Sequence, residues 1–146
     1  MSEGGETRFV RHLIMDDEPA DNPYGVRFSQ LHAVELADMD GDGVLDIVTG
    51  KRHWAHGSTG DVDADAPPVV YWFRTVRSEA GGEVEFVPHL IDDDSGVGVQ
   101  LVVGDVNGDG LPDLVVGNKR MTAVLLHEVT RVDAAAWNAA QPTPQR

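Results

Sequence analysis

Asp38-Met39-Asp40-Gly41-Asp42-Gly43-Val44-Leu45-Asp46 and Asp105-Val106-Asn107-Gly108-Asp109-Gly110-Leu111-Pro112-Asp113 are the two stretches whose reading decides the fold. Each sets an oxygen-bearing side chain at positions 1, 3, 5 and 9 and a glycine at positions 4 and 6. Alternate side chains of a tightly coiled loop converge on one point, and the glycine at position 6 supplies the positive φ that brings the last one round. Carboxylates with one amide oxygen are hard donors, suited to Ca²⁺ and unsuited to Zn²⁺ or Cu⁺. The candidate ligands are therefore Asp38, Asp40, Asp42 and Asp46, then Asp105, Asn107, Asp109 and Asp113, for two Ca²⁺ per chain. Two unit charges 4 Å apart repel by about 4 kcal/mol at an effective dielectric of 20, so without metal the first loop is expected to be splayed and mobile. With four carboxylates against three, it is also expected to bind the tighter of the two. A solvated Asn/Asp/Gly turn has the same composition; two copies with one spacing argue against it.

The flanks separate this loop from an EF-hand, which needs a bidentate Glu at position 12 and a helix on either side. Position 12 is Thr49 in the first loop and Val116 in the second. Around them lie short runs rich in β-branched residues, such as Ile47-Val48-Thr49 and Leu114-Val115-Val116, which read as strands. A strand–loop–strand hairpin replaces the EF-hand.

The likeness between the two halves extends past the loops. Phe9-Val10-Arg11-His12-Leu13-Ile14 returns 77 residues later as Phe86-Val87-Pro88-His89-Leu90-Ile91, whereas the loops themselves are 67 residues apart. Unit one thus carries a ten-residue insertion near Glu18–Ser29. Strands are expected over 7–14, 31–37, 44–52, 68–76, 84–91, 98–104, 111–118 and 122–129. A repeat of this length made only of strands predicts an all-β fold of β-propeller blades, four antiparallel strands each. Lettered A to D from the centre outward, the strands run D, A-B-C-D, A-B-C. That makes two blades per chain only if residues 7–14 supply the last strand of another copy's blade. A ring of 4–8 blades then closes by oligomerisation, with a trimer or tetramer preferred over a cramped dimer and a monomeric two-blade fragment with an exposed edge as the alternative.

The pattern Asp-x-[Asp/Asn]-Gly-Asp-Gly-x-x-Asp-[Ile/Leu]-Val-x-Gly resembles the FG-GAP/VCBS-type repeat, the Ca²⁺-binding blade of integrin α propellers, some fungal lectins and many bacterial surface proteins. The resemblance spans about residues 8–129. It implies Ca²⁺ on the side chains already named and on the backbone carbonyls of Val44 and Leu111 at position 7. Members commonly carry about seven blades in one chain against two here, which argues against closure within one chain, and the lack of a literal Phe-Gly-Gly-Ala-Pro segment places the chain nearer the VCBS branch.

Composition bounds the partners. Twenty-five Asp plus Glu against 11 Lys plus Arg give a net charge of −14, which argues against nucleic acid or an anionic membrane. Cysteine is absent, excluding disulfides, thiolate metal sites and a Cys nucleophile. No apolar run reaches a membrane span, and the polar start reads as no signal peptide. Localisation stays open: family and loops suit an extracellular or periplasmic setting, a complete chain the cytoplasm.

The remaining candidates are ligand contacts. His53-Trp54-Ala55-His56 can bind a metal or stack on a sugar, or be a loop whose aromatic packs on the sheet. Asp61, Asp63 and Asp65 lack the glycines and have Val69 at position 9, so they read as an ordinary acidic loop. Trp72 alternates with Tyr71 and Phe73 and falls on the opposite face, packed between blades or open to a ligand. His12 and His89 read as hydrogen-bonded structural residues. The insertion with Tyr24 and the segment Ser95–Gly98 both precede an inner strand, and are expected to cluster near the ring axis. Residues 1–130 form the blades; 131–146 form a helix over 133–140, N-capped by Asp133, and a Pro-containing tail. No general-base or Ser/His/Asp constellation emerges. The function expected is a non-enzymatic Ca²⁺-stabilised module binding carbohydrate or protein, with a propeller-type polysaccharide lyase or a structural assembly unit as alternatives.

Overall fold

A computed structural model describes residues 6–78 and 82–145. The chain is all-β, with two antiparallel sheets. Strands β1 (Val34–Ala37), β2 (Asp46–Gly50), β3 (Val70–Arg77) and β4 (Val84–Asp92) form one sheet in that order. Strands β5 (Leu101–Gly104), β6 (Asp113–Gly117) and β7 (Thr122–Leu125) form the other. An α-helix, α1 (Ala134–Ala140), follows them. Asp133 caps it by accepting the Ala136 N–H at 2.8 Å.

Each strand follows its alternation of side chains. In the first sheet Val48 pairs with Glu35 and Trp72, and Trp72 with His89, so these four share one face. The other face carries the row Leu36, Ile47, Phe73 and Pro88. Phe28, from the segment preceding β1, stacks on Tyr71 at 5.4 Å and lies 6.3 Å from Phe73, covering part of that second face. In the second sheet the rows are Leu101–Val116–Ala123 and Val103–Leu114–Leu125 on one face, and Val102–Val115–Val124 on the other.

The core lies between the sheets. Val48, Val70 and Met39 meet Leu101, Leu114, Val116 and Val97, all nearly inaccessible, with Trp72, Val103 and Leu125 packed around them. Burying a side chain of this size stabilises by about 1.5–3 kcal/mol, so this cluster is the main force joining the sheets. One buried cation accompanies it. Lys51 is fully enclosed just past β2, and its Nζ donates to the carbonyls of Arg52 and His53 at 3.2 and 3.3 Å. Burial pulls its pKa down, opposed by Asp63 and Asp61.

One expected element is missing from the single chain. Residues 6–13 form no strand, so the element expected over 7–14 does not exist within the single chain. The second sheet has three strands, the A-B-C order expected of it within one chain. The sequence of residues 7–14 suits a strand, but a strand needs a neighbour to hydrogen-bond to, and among the described residues none pairs with it. The other strands appear where expected, most with an end trimmed by one to four residues, while β3 and β4 each run one residue further at their C-terminal end.

Candidate metal loops and the cleft between them

The two loops share most of their hydrogen bonds, and the second adds two from Asn107, whose Nδ2 donates to Asp109 Oδ2 at 2.9 Å and whose N–H donates to Asp113 Oδ2 at 3.4 Å. Asp38 Oδ1 accepts from the N–H groups of Gly41 and Asp42 at 2.9 and 3.0 Å, and its Oδ2 from Gly43 at 2.9 Å. Asp105 does the same with Gly108, Asp109 and Gly110 at 2.7, 3.1 and 3.0 Å. Asp42 N–H also donates to Asp40 Oδ1 and Val44 N–H to Asp42 Oδ1, as Asp109 does to Asn107 and Leu111 to Asp109. Gly41, Gly43, Gly108 and Gly110 take φ of +77°, +85°, +83° and +86°, a region that a Cβ disfavours. This backbone points a series of N–H groups inward, which sets the coil.

The ninth-position aspartates do something the spacing did not suggest. Asp46 and Asp113 are both fully buried. Asp46 accepts from Met39 N–H at 3.0 Å and, across the sheet, from Thr75 N–H at 2.8 Å. Asp113 accepts from Val106 and His127 N–H, both at 2.8 Å. Each carboxylate therefore clamps its loop to the third strand of its sheet or the residues just past it. The hydrogen bonds hold the Asp113 carboxyl below the usual range, that from His127 first and that from Val106 next.

Asp38, Asp40 and Asp42 present oxygens that all lie within 4.8 Å of one another. Oxygens sharing one Ca²⁺ at about 2.4 Å can be no more than about 4.8 Å apart, so the triad has the reach a calcium ion requires. Asp46 stands outside that group. Its oxygens each accept one N–H and keep a second lone pair, so ligation is compatible with the clamp. Beside the first loop sits Arg74, whose Nε lies 2.6 Å from Asp40 and Nη2 3.9 Å from Asp42. The first contact is an ion pair without hydrogen-bond alignment. The equivalent position, just past β7, is Leu126, which carries no charge.

A cleft of about 530 Å³ runs between the loops, bounded by Asp40, Leu111, Trp72, His127 and Trp137. Among the described residues, Trp72 Nε1 and His127 Nδ1 find no hydrogen-bond partner. Of the ligand-contact candidates, only Trp72 lies here. Its ring stacks on His89 at 4.6 Å, and burial, then Arg74, pulls the His89 pKa down. His89 is thus structural through stacking, and its Nε2 makes no hydrogen bond, contrary to expectation. His12 is exposed on the strandless segment.

The other candidates go elsewhere. His53 lies on the Trp54 ring at 3.7 Å, while His56 Nδ1 sits 2.7 Å from Asp61, so the two histidines do not converge. The His56 and Ala55 N–H groups converge on Asp61, which lies well below the usual carboxyl range, first through the His56 N–H. Asp63 pairs with Arg27. Tyr24 turns to the outermost strand of the first sheet, where its hydroxyl donates to Glu85 at 2.6 Å. It does not join Ser95–Gly98, because Pro23 and Tyr24 line the hairpin tip of β3 and β4. Burial, with Glu85 adding, pushes its pKa up to about 12. Arg74, His127 and Trp137 were missed from sequence; Arg74 could have been found, since it shares a strand face with Trp72.

Residues 97–120 match the family described as FG-GAP repeat. The span holds β5, the second loop and β6, consistent with an FG-GAP-type repeat family. No curated protein and no solved structure matches the chain.

Proposed function

We propose, from the FG-GAP repeat at residues 97–120, that this is a non-enzymatic, Ca²⁺-binding β-propeller module that recognises a carbohydrate or protein ligand. The observation that carries the reading is the pair of loops with one hydrogen-bond pattern, the first holding three carboxylates at calcium reach. Asp38, Asp40, Asp42, Asp46 and the Val44 carbonyl would hold one ion. Asp105, Asn107, Asp109, Asp113 and the Leu111 carbonyl would hold the other. Bound Ca²⁺ supplies positive charge that ties loop to strand. The residues themselves set the coil and fix it to the sheet through Asp46 and Asp113. The cleft between the loops, with Trp72 and Trp137 on its walls, offers apolar surface beside polar atoms, a lining suited to a small ligand. The two sheets are read as propeller blades, and the working form as a trimer or tetramer that closes the ring.

The test is calcium-dependent melting followed by a glycan array with and without EDTA. A rise in Tm on adding Ca²⁺, lost in the Asp38→Ala plus Asp105→Ala variant, supports the metal reading. An unchanged melt at millimolar Ca²⁺ rejects it. Glycan signal abolished by EDTA supports a calcium-dependent lectin-like activity, and its absence directs attention to protein ligands.

A further inference from the structure

The two sheets pack in a way that can be continued. Shifting the first sheet by 67 residues along the sequence superposes Val34, Leu36, Ile47 and Thr49 on Leu101, Val103, Leu114 and Val116. The latter four are the face of the second sheet that packs against the first. Their equivalents Val34 and Leu36 face away from the core and are more than half exposed, as is Leu90 on the same side. The reverse also holds. Glu35, Val48 and Trp72, on the first sheet's inward face, correspond to Val102, Val115 and Val124, a cross-strand row on the second sheet's outward face. Val102 and Val124 are at least half exposed. The molecule therefore displays both halves of the seam that joins its own sheets, one half at each end. Such a heterologous pair of surfaces generates a ring when its rotation closes.

The spare segment belongs to the same seam. Residues 9–14 repeat β4, and β4 is the strand that β7 lacks beside it. Carrying the pairing of β3 with β4 over to the second sheet sets Val10 opposite Leu126, Leu13 opposite Ala123 and His12 opposite Val124. Phe9 is 97% exposed in the single chain. The segment is tethered on the outward side of the first sheet: Phe28, which covers Tyr71 there, donates its N–H to Met15 Sδ at 3.3 Å. That is the side a neighbouring second sheet would occupy.

We infer that copies of this chain join head to tail, the outward face of one second sheet seated on the next copy's first sheet, with the next copy's residues 8–14 added to β7 as a fourth strand. This rests on the propeller reading above and names the surfaces that close the ring. It buries two apolar faces, and it hydrogen-bonds an open strand edge of the kind that natural sheets cover.

The chain has no cysteine, so introduced thiols are clean probes. Light scattering on the unaltered chain should give three or four times 15.8 kDa. Directly opposed residues on antiparallel strands have Cα atoms about 4.5–5.5 Å apart, within disulfide reach. The Val10→Cys plus Leu126→Cys variant, oxidised, should run on a denaturing non-reducing gel as a ladder ending at the trimer or tetramer, while each single variant should not ladder. Val124→Asp should return the mass to one chain with the circular dichroism of both sheets kept. A one-chain mass for the unaltered protein overturns the inference, and so does a disulfide formed within one chain. Repeating the scattering in EDTA separates this inference from the calcium reading. Assembly in a protein whose melt ignores Ca²⁺ removes only the metal; a single chain with a calcium-dependent melt removes only the seam.

Discussion

Asp46 offers the sharpest test of how these loops are held. Its carboxylate is buried and accepts two backbone N–H groups, one from Met39 inside the loop and one from Thr75 on the third strand. Hydrogen bonds to a charged acceptor contribute about 1.5–3 kcal/mol each, and a buried N–H stripped of its acceptor costs about 1–3 kcal/mol. Asp46→Ala orphans both donors, so a loss of about 3–5 kcal/mol is expected, a large share of the roughly 5–15 kcal/mol that holds a domain together. Asp46→Asn keeps one acceptor and turns an amide N–H₂ toward the other donor, so about half that loss is expected. Urea unfolding followed by far-ultraviolet circular dichroism measures both, at matched protein concentration. The measurement is made in Ca²⁺ and again in EDTA. If the clamp is as described, the deficit of Asp46→Ala persists in EDTA, because its partners are backbone groups. A deficit under about 1 kcal/mol in EDTA would refute the clamp and leave Asp46 with metal ligation alone.

Further predictions follow from the loops and their surroundings. Arg74 places a positive charge against Asp40 and Asp42, so Arg74→Met should raise Ca²⁺ affinity of the first loop. After solvent screening the gain is about 1 kcal/mol, or fivefold, by calorimetry on an Asp105→Ala background; no gain would show the guanidinium swings clear. The same charge offsets the first loop's advantage of four carboxylates over three, so the two sites should bind within about tenfold of each other. At Gly43 a Cβ would meet nothing within 4 Å, so Gly43→Ala should cost only the backbone strain of positive φ, about 1–2 kcal/mol; a larger loss would point to a contact not seen here. Burial, then Arg74, lowers the His89 pKa. Its unfolded form takes a proton as pH drops below about 6.5 while the folded form resists, so its contribution to stability falls as pH falls through that value. His89→Phe keeps the stack on Trp72 and should flatten the urea midpoint against pH below about 6.5. An unchanged slope would assign the titration to His53, whose pKa burial also lowers.

Much of this was legible in the sequence, for reasons that can be located. The period-two alternation of Ile47-Val48-Thr49 and of Tyr71-Trp72-Phe73 fixes which side chains share a face, because successive residues of a strand must point to opposite sides. The Asp/Gly spacing fixes the coil of each loop, since only glycine takes positive φ without strain. What spacing could not reveal is the second use of position 9. A carboxylate that serves an ion and one that caps two strands leave the same letter in the sequence, and only the register places Thr75 N–H over Asp46. The same limit hid Arg74 and Trp137, whose roles depend on how β3 and α1 approach the loops rather than on any motif. Residues 7–14 show a different limit. Their sequence describes a strand well, yet a strand is a relation between two chain segments, and the single chain provides only one of them.

The equivalence of Val48 and Val115 has a thermodynamic consequence. Val48 lies in the seam within a chain, and Val115 on the surface inferred to form that seam between chains. Trimming the first to Ala should lower stability by an amount independent of concentration. Trimming the second should do so by mass action, as a Tm that falls further with each dilution. One packing geometry would then be read twice in the same molecule, once as a folding constant and once as a dissociation constant, so the protein contains its own standard for what tethering two such sheets together is worth.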